Sequence, residues 1–299
     1  MLTFAVLTGA VLHLTVKDSV PLLATVFYAL PLPVILLLAI ARLVCARILR
    51  DSRSTVIWAV VVFSVVGWTT TSLYEWHSLV ASQDTIRVVC WNTGQGKGRW
   101  RPAYAEIINR LQPDIVGLIE AGGDLQATRQ FFESQCPGYQ VSALRGGLIC
   151  LSRGTAGEGS VSTLAGGGKC GQVSLNIHGQ SVELLLVDVH SSPLKFRADP
   201  LKALAEKAAQ LQDRPVIILG DFNTPNDSVH LEALRTHHTH AFEAAGQGYA
   251  CTWPIPLPVL NLDQIWTNAH CVPVSCHHEW TVLSDHRLVV ADISILPVE

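Results

Sequence analysis

The stretch Val216–Pro225, VIILGDFNTP, places two polar side chains directly after a short apolar run. The run predicts a buried strand. Residues two apart in a strand face the same way, so Asp221 and Asn223 are expected to point to one side. An ionised carboxylate is costly to bury without a partner. Asp221 therefore either caps the following turn, which Thr224 and Pro225 favour, or belongs to a site.

Polar side chains also border five other predicted strands. They are Asn92, Glu120, His190, Asp263 and the pair Asp285 and His286. Random surface polarity rarely follows strand ends so regularly. Oxygen-rich ligand sets with few sulfurs suit a hard cation such as Mg²⁺. Two histidines beside such a set suit chemistry on a phosphate.

From Glu75 onward, predicted strands alternate with predicted helices. The strands are Ile86–Asn92, Asp114–Glu120, Gly146–Arg153, Gly171–Gly179, Ser181–His190, Arg214–Asn223, Leu262–Asn268 and Arg287–Ile295. The helices are Pro102–Pro113, Asp124–Gln135 and Asp199–Gln212. This order predicts a mixed sheet or two packed sheets with outer helices, including one probable strand hairpin at Gly171–His190. The Gly/Ser-rich segment Gly154–Gly171 is predicted to be a loop.

The polar residues, taken in this order, resemble the conserved set of the endonuclease/exonuclease/phosphatase superfamily. Its members include DNase I, exonuclease III-type repair nucleases, inositol polyphosphate 5-phosphatases and neutral sphingomyelinases. The resemblance covers Ile86–Ile295, and the segment Cys251–Leu260 is similar to one in bacterial membrane-anchored members. It implies an α/β fold, the DNase I-like four-layer α/β sandwich with two central mixed β-sheets.

The resemblance implies a metal site at Glu120, with Asn92 and Asp285 nearby. The expected ion is Mg²⁺, with Mn²⁺ as an alternative. Such an ion would polarise a bound phosphate and offset the charge that develops in the transition state.

The resemblance also implies catalytic roles for five residues. Asp221 and Asn223 would position the attacking water and the phosphate. His286 would contact the scissile phosphate or move a proton, and Asp263 would orient its ring. His190 would be a second phosphate-contacting histidine.

Two features depart from the superfamily pattern. Gly94 stands where repair nucleases have an acid, and no carboxylate is evident as a partner for His190. Basic residues follow two of the strand ends, within Gly94–Arg101 and at Lys195 and Arg197. They either hold an anionic substrate or are solvated loop charges.

The N-terminal part of the 299-residue chain has the composition of a membrane region. Met1–Tyr74 contains five basic and two acidic residues, whereas the remainder has a net charge of −6. Val20–Ala41 and Thr55–Tyr74 are uncharged and long enough to cross a bilayer as helices. Met1–Val16 is uncharged but short, so we expect three spans, or two spans with an interfacial start. Residues 1–76 are assigned to this region and 84–299 to the catalytic domain.

Arginines between the two long uncharged stretches predict the orientation. They are Arg42, Arg47, Arg50 and Arg53. Short arginine-rich loops remain in the cytoplasm. The expected location is therefore the cell membrane, multi-pass, with the catalytic domain on the periplasmic or extracellular side. In such an oxidising compartment cysteines can pair, and Cys251 with Cys271 or Cys276 is one expectation; free buried thiols are the other.

These features predict a membrane-tethered, Mg²⁺-dependent phosphohydrolase, either a phosphodiesterase or a phosphatase. The expected partners are the membrane and a phosphorylated substrate, which could be a phospholipid head group, a nucleotide or nucleic acid. No obligate protein partner is evident. A nuclease acting on extracellular nucleic acid is an alternative, although the acidic domain lacks the basic balance typical of duplex binders. A non-catalytic module that binds a phosphorylated ligand is another.

Overall fold

The computed structural model describes residues 1–78, 84–94 and 101–296. Its N-terminal part consists of four helices. They are α1 (Leu2–Leu14), α2 (Pro21–Ala29), α3 (Leu32–Ile48) and α4 (Ser52–Leu73). The uncharged stretch Val20–Ala41, expected to form one helix, is instead broken between α2 and α3, whose axes differ by 62°. Pro31 and Pro33 explain the break, because proline lacks the donor that a continuous helix needs.

Length and composition separate these four helices. Helix α4 has 22 residues and is long and apolar enough to cross a membrane by itself. Helices α2 and α3 meet that test only as a bent pair, and α1 is a shorter apolar helix. The three expected spans therefore correspond to one full-length helix, one bent pair and one short helix.

The rest of the described chain contains two large mixed sheets. The first has the order β14-β15-β2-β3-β5-β4. Its strands are β2 (Thr85–Asn92), β3 (Ile115–Ile119), β4 (Gln140–Leu144), β5 (Leu148–Ser152), β14 (Cys271–Glu279) and β15 (Leu288–Ile295). The second has the order β11-β13-β10-β9-β8-β6, with β7 also paired to β8. Its strands are β6 (Thr155–Ala156), β7 (Ser160–Thr163), β8 (Gly168–Ile177), β9 (Gln180–Val189), β10 (Val216–Asp221), β11 (His238–His240) and β13 (Asp263–Asn268).

Helices cover the outer faces of both sheets. They are α5 (Arg101–Leu111), α6 (Leu125–Gln135), α7 (Ala198–Ala209) and α8 (Glu232–Arg235). Helix α9 (Ala241–Ala245) instead packs Ala241 and Phe242 into the core between the sheets. Strand β2 shows how the layers form, because Val88 and Cys90 face the core between the sheets whereas Val89 and Trp91 face the core beneath α5 and α6. The result is the expected four-layer α/β sandwich.

A third, two-stranded sheet connects the N-terminal helices to this sandwich. Strand β1 (Tyr74–Trp76) follows α4 without a break and pairs antiparallel with β12 (Gln247–Tyr249). The backbone N–H of Ala250 also donates to the carbonyl oxygen of Leu73, at 2.8 Å. The end of α4 is therefore fixed directly to the catalytic domain.

The predicted strands and helices are all present, with ends that differ by a few residues. The expected hairpin is β8–β9. The predicted loop Gly154–Gly171 is wrong in part, because it contains β6, β7 and the start of β8. Strands β4 and β14 were not predicted. The expected disulfide between Cys251 and Cys271 or Cys276 does not form, since all eight cysteines are free thiols and these three are buried.

Candidate active site

The site lies at one end of both sheets, where several strand termini meet. Strands β2 and β3 run parallel, as do β9 and β10, so their carboxyl ends share an edge. Strand β13 runs antiparallel to β10 and starts at this edge, which places Asp263 opposite Asp221. The strand directions therefore bring together residues that are far apart in the sequence.

The glycine before Asp221 is required by the packing of two strands. A Cβ atom at Gly220 would lie 1.9 Å from the carbonyl oxygen of Val187 on the neighbouring strand. The close approach lets Asp221 sit at the strand end with its carboxylate buried. That carboxylate accepts hydrogen bonds from Asn92 Nδ2 and from the backbone N–H of Asn223, each at 2.8 Å.

Asn223 lies beyond the strand. Strand β10 ends at Asp221, and Asn223 has a φ of +49°, a left-handed conformation that asparagine tolerates. The expectation that strand alternation aligns the two residues is therefore wrong, although both line the same cleft. Asn223 Nδ2 donates to the carbonyl oxygen of Val189 at 2.8 Å, which fixes the turn after the strand.

Asp263 and His286 form a buried pair. Nδ1 of His286 lies 2.8 Å from Oδ2 of Asp263, while Oδ1 of Asp263 has no partner among the described residues. Burial alone would lower the pKa of His286, but the charges of Asp263 and Asp221 and the hydrogen bond to Asp263 outweigh it and raise the pKa to about 9. The ring is therefore an imidazolium at neutral pH, and Nε2 remains to donate.

Burial and the negative charge of Asp263 raise the pKa of Asp221 to about 8. Asp221, Asp263 and His286 each offer a ligand atom within 4.8 Å of the others, so this group could hold a metal ion. However, the atoms that join Asp263 to His286 are already occupied by their hydrogen bond. The pair is therefore better suited to orienting and moving a proton than to closing a metal site.

The three predicted metal ligands lie at or beside the same cleft. Glu120 and Asp285 line it, and Asp285 accepts a hydrogen bond from Trp253 Nε1 at 2.9 Å. Asn92 Oδ1 accepts from the backbone N–H of Gly94, which leaves one lone pair of that oxygen. Glu120 has a φ of +54°, a strained conformation that clusters at functional sites.

These donors fit a hard divalent cation. They are oxygen atoms, and the cleft is rich in carboxylates. The pKa of Asp221 is raised, and a nearby cation would favour its ionised form. The individual roles of Asn92, Glu120 and Asp285 stay predictions.

His190 has an arginine as its partner. Arg197 Nη1 lies 2.8 Å from His190 Nδ1, and Arg197 also donates to the carbonyl oxygens of Ser192, Lys195 and Asn223. Burial lowers the pKa of His190, and the charges of Arg197 and Lys195 lower it further. Because a guanidinium only donates, the neutral ring carries its proton on Nε2.

Comparison with known families agrees with this geometry. The model of the Endonuclease/Exonuclease/phosphatase family matches residues 89–286, which is more than half of the chain. The chain belongs to this family. Family membership supports a phosphohydrolase function in general. No curated protein matches the chain.

Solved structures of similar fold come from several proteins. An endonuclease/exonuclease/phosphatase from Bacteroides vulgatus has a TM-score of 0.59 and 17% identity, covering 71% of this chain and 100% of its own. A humanised D. rerio TDP2 with 14 mutations has a TM-score of 0.58 and 16% identity, covering 70% and 99%. A mannosyl-6-phosphatase from Bacteroides thetaiotaomicron has a TM-score of 0.57 and 14% identity, covering 70% and 100%. At these identities the likeness shows the fold.

Sequence reasoning missed several residues of this family member's cleft. Arg197 was expected either to hold an anionic substrate or to be a solvated loop charge. Its side chain is instead buried, and its Nη1 contacts His190 Nδ1. Trp253, in the segment Cys251–Leu260, donates a hydrogen bond from Nε1 to Asp285. The cleft is also lined by Thr25, Tyr28 and Ala29 of α2, which no pattern in the sequence indicated.

The basic residues of Gly94–Arg101 were expected either to hold an anionic substrate or to be solvated loop charges. Residues 95–100 of that segment lie outside the described residues. Arg101, at its end, donates from Nη2 to the carbonyl oxygen of Gly122 at 3.0 Å. Lys195 is exposed, and its role in substrate binding stays a prediction.

Proposed function

We propose that the protein is a membrane-tethered phosphoric ester hydrolase that depends on a divalent metal, Mg²⁺ or Mn²⁺. The carrying observation is the buried pair His286–Asp263 beside Asp221, in one cleft that Glu120 and Asp285 also line. Acid, base and oxygen ligands thus face a common space large enough for a phosphoester. This combination favours catalysis over a module that only binds a phosphorylated ligand.

The side chains divide the work of hydrolysis. In its ionised form, which a pKa of about 8 favours only at alkaline pH in the metal-free site, Asp221 takes a proton from a water whose oxygen forms the new bond to phosphorus. Asn92 and the backbone of Asn223 hold that carboxylate in place. As the bond from phosphorus to the ester oxygen breaks, the leaving alkoxide takes a proton from solvent water, and Asp221 returns to solvent the proton that it removed. His286 donates from Nε2 to the phosphoryl group, with Asp263 stabilising the imidazolium.

Nε2 of His190 is the second donor to the phosphate, because Arg197 keeps the proton on that atom. Glu120, Asp285 and the amide oxygen of Asn92 would hold the metal. When bound, the ion supplies Lewis acidity and neutralises charge on the phosphate oxygens.

The membrane assignment is supported by exposed apolar side chains along the N-terminal helices. Examples on α4 are Ile57, Val60 and Phe63, which are 60%, 61% and 81% exposed. Apolar surface of this extent marks a contact with lipid or another protein. The arginine-bearing turn between α3 and α4 is one length of α4, about 33 Å, from the catalytic domain, which supports a periplasmic or extracellular location for that domain.

Reporter fusions after Glu299 test this orientation. Alkaline phosphatase is expected to be active there, and green fluorescent protein is expected to be dark. A silent phosphatase with bright fluorescence would place the domain in the cytoplasm.

The catalytic proposal is tested with the full chain in detergent micelles. Hydrolysis of bis-p-nitrophenyl phosphate and p-nitrophenyl phosphate is measured with Mg²⁺ or Mn²⁺ and after chelation. We expect turnover that chelation removes and that falls at least about 10²-fold in Asp221→Ala and His286→Ala. Asp213→Ala, which removes an exposed acid outside the cleft, is the matched control. Unchanged turnover in both cleft variants would refute the proposal.

A further inference from the structure

The active-site cleft has one wall made by a helix of the N-terminal region. Thr25, Tyr28 and Ala29 of α2 line the same space as Asp221 and His286. A membrane tether alone would not require a helix in the wall of the cleft. Helix α2 therefore affects which molecules can enter the cleft.

Helix α2 is held in this position by a buried anchor. Asp18, in the turn before α2, is fully buried and accepts hydrogen bonds from Tyr28, Ser228 and the backbone N–H of Val229. The Asp18 carbonyl oxygen also contacts His230 Nε2 at 2.9 Å. A second contact joins α2 to the loop after β9, where Thr25 Oγ1 donates to the carbonyl oxygen of Pro193 at 2.9 Å. Specific hydrogen bonds therefore hold this wall of the cleft in place.

A separate cavity of about 210 Å³ lies next to the cleft, between the helices and the catalytic domain. Pro225 and Leu260 line both spaces, so the two are neighbours. Leu14, Phe27 and Trp68 supply apolar walls from α1, α2 and α4. A dry apolar cavity of about 150 Å³ is enough to bind benzene, so this one has room for a short stretch of hydrocarbon.

One polar side chain in this cavity has no partner. Asn261 is 2% exposed, and neither Oδ1 nor Nδ2 has a hydrogen-bond partner among the described residues. A buried amide without partners is unfavourable. A ligand that carries an ester carbonyl or a hydroxyl beside its hydrocarbon would satisfy it.

We infer that the substrate is a phosphate ester of a membrane lipid. Its phosphoryl group lies in the cleft at Asp221 and His286, its ester or hydroxyl group meets Asn261, and the adjoining hydrocarbon enters the cavity beside α2. The inference rests on the proposed hydrolase function and names its substrate class. The reaction is hydrolysis: water oxygen bonds to phosphorus while Asp221 takes its proton, the ester bond to phosphorus breaks, and the released alkoxide takes a proton from solvent, to which Asp221 returns its own.

The test compares two diesters with the same leaving group, p-nitrophenyl methyl phosphate and p-nitrophenyl dodecyl phosphate. Both are given to the full chain in phosphatidylcholine nanodiscs with Mg²⁺. We expect kcat/KM for the dodecyl ester to exceed that for the methyl ester by about tenfold or more, the effect of burying a few methylenes. Single-stranded DNA is assayed in parallel.

Variants separate a real cavity from simple partition into the bilayer. Ser72→Phe places a ring in the cavity, whereas Thr71→Phe changes the adjacent exposed position outside it. The ratio of dodecyl to methyl kcat/KM is expected to fall about tenfold in Ser72→Phe and to stay at the wild-type value in Thr71→Phe. Leu14→Trp, which enlarges another side chain that lines the cavity, lowers the same ratio and serves if Ser72→Phe fails to fold.

The outcomes distinguish the inference from the function on which it rests. Equal kcat/KM for both diesters, or equal ratios in all variants, would overturn the lipid substrate while leaving the hydrolase intact. Faster cleavage of DNA than of the dodecyl ester would also overturn it. Absence of turnover for every ester and metal would remove the proposed function and the inference with it.

Discussion

Arg197 Nη1 lies 2.8 Å from Nδ1 of His190, so an arginine supports the histidine for which the sequence offered no carboxylate. A carboxylate partner would favour the charged ring, whereas this arrangement favours the neutral one. The proton is then on Nε2 of His190, which is buried and has no hydrogen-bond partner among the described residues. An arginine in place of a carboxylate therefore favours a neutral ring at His190.

Replacement of Arg197 by methionine should raise the pKa of His190, because one of the charges that lowers it is gone while burial remains. The ring would then take up a proton at a higher pH than in the wild type. We also expect kcat to fall about tenfold or more, since Arg197 holds the loop that carries the histidine. NMR titration of the labelled ring measures the first effect. Lys202→Met, an exposed cation on α7, is the control, and an unchanged His190 titration would contradict the assignment.

Gly220→Ala should destabilise the protein, because the new Cβ would lie 1.9 Å from a backbone oxygen that cannot move aside. The expected loss is about 2–4 kcal/mol in the free energy of unfolding. Gly67→Ala on α4 is the matched control, since nothing lies within 4 Å of its Cβ position. Thermal unfolding of the two variants measures this difference. Equal melting temperatures would show that β9 and β10 can move apart at little cost.

Acid should destabilise the catalytic domain between about pH 6.5 and 4. Burial lowers the pKa of His240 to about 4 and that of His278 to about 3. The unfolded chain takes up protons below its ordinary histidine pKa while the folded domain does not, so stability is fully present above pH 6.5 and decreases as the pH falls. Each shift corresponds to roughly 3–5 kcal/mol when complete.

Chemical denaturation at several pH values measures this slope. His240→Gln should flatten it, whereas His77→Gln, which changes an exposed histidine, should leave it as in the wild type. A His240→Gln slope that matches the wild type would show that this ring is protonated in the folded state.

Asp18→Ala should release α2 from the catalytic domain, because it removes the acceptor for Tyr28, Ser228 and Val229. We expect backbone hydrogen exchange across residues 15–30 to accelerate by about 10- to 100-fold. Asp51→Ala is a matched control, as it removes the other acid of the helical region, which caps α4 at Ser54. Equal exchange in the two variants would mean that the helices hold α2 without the anchor.

The sequence by itself determined the family and the alternation of strands and helices, and it indicated the candidate residues of the cleft. Apolar runs that end in an acid, an amide or a histidine are local signals, and Asp221, His190 and Glu120 each carry one. Their order along the chain indicated the family, which is why the four-layer sandwich could be predicted from the sequence. The prolines of the helical region were visible too, yet not the 62° bend that they produce.

Only the tertiary structure decided which groups meet. The contact of Arg197 with His190, the anchoring of α2 by Asp18 and the unpartnered amide of Asn261 depend on how distant segments pack. Asp18 and Ser228, for example, are 210 positions apart in the chain. Periodicity and composition indicate whether one segment is buried or exposed. They do not indicate which distant residue will contact it in the folded protein. That is the physical reason why α2, an apolar N-terminal helix, could become a wall of the candidate site without any trace in its own sequence.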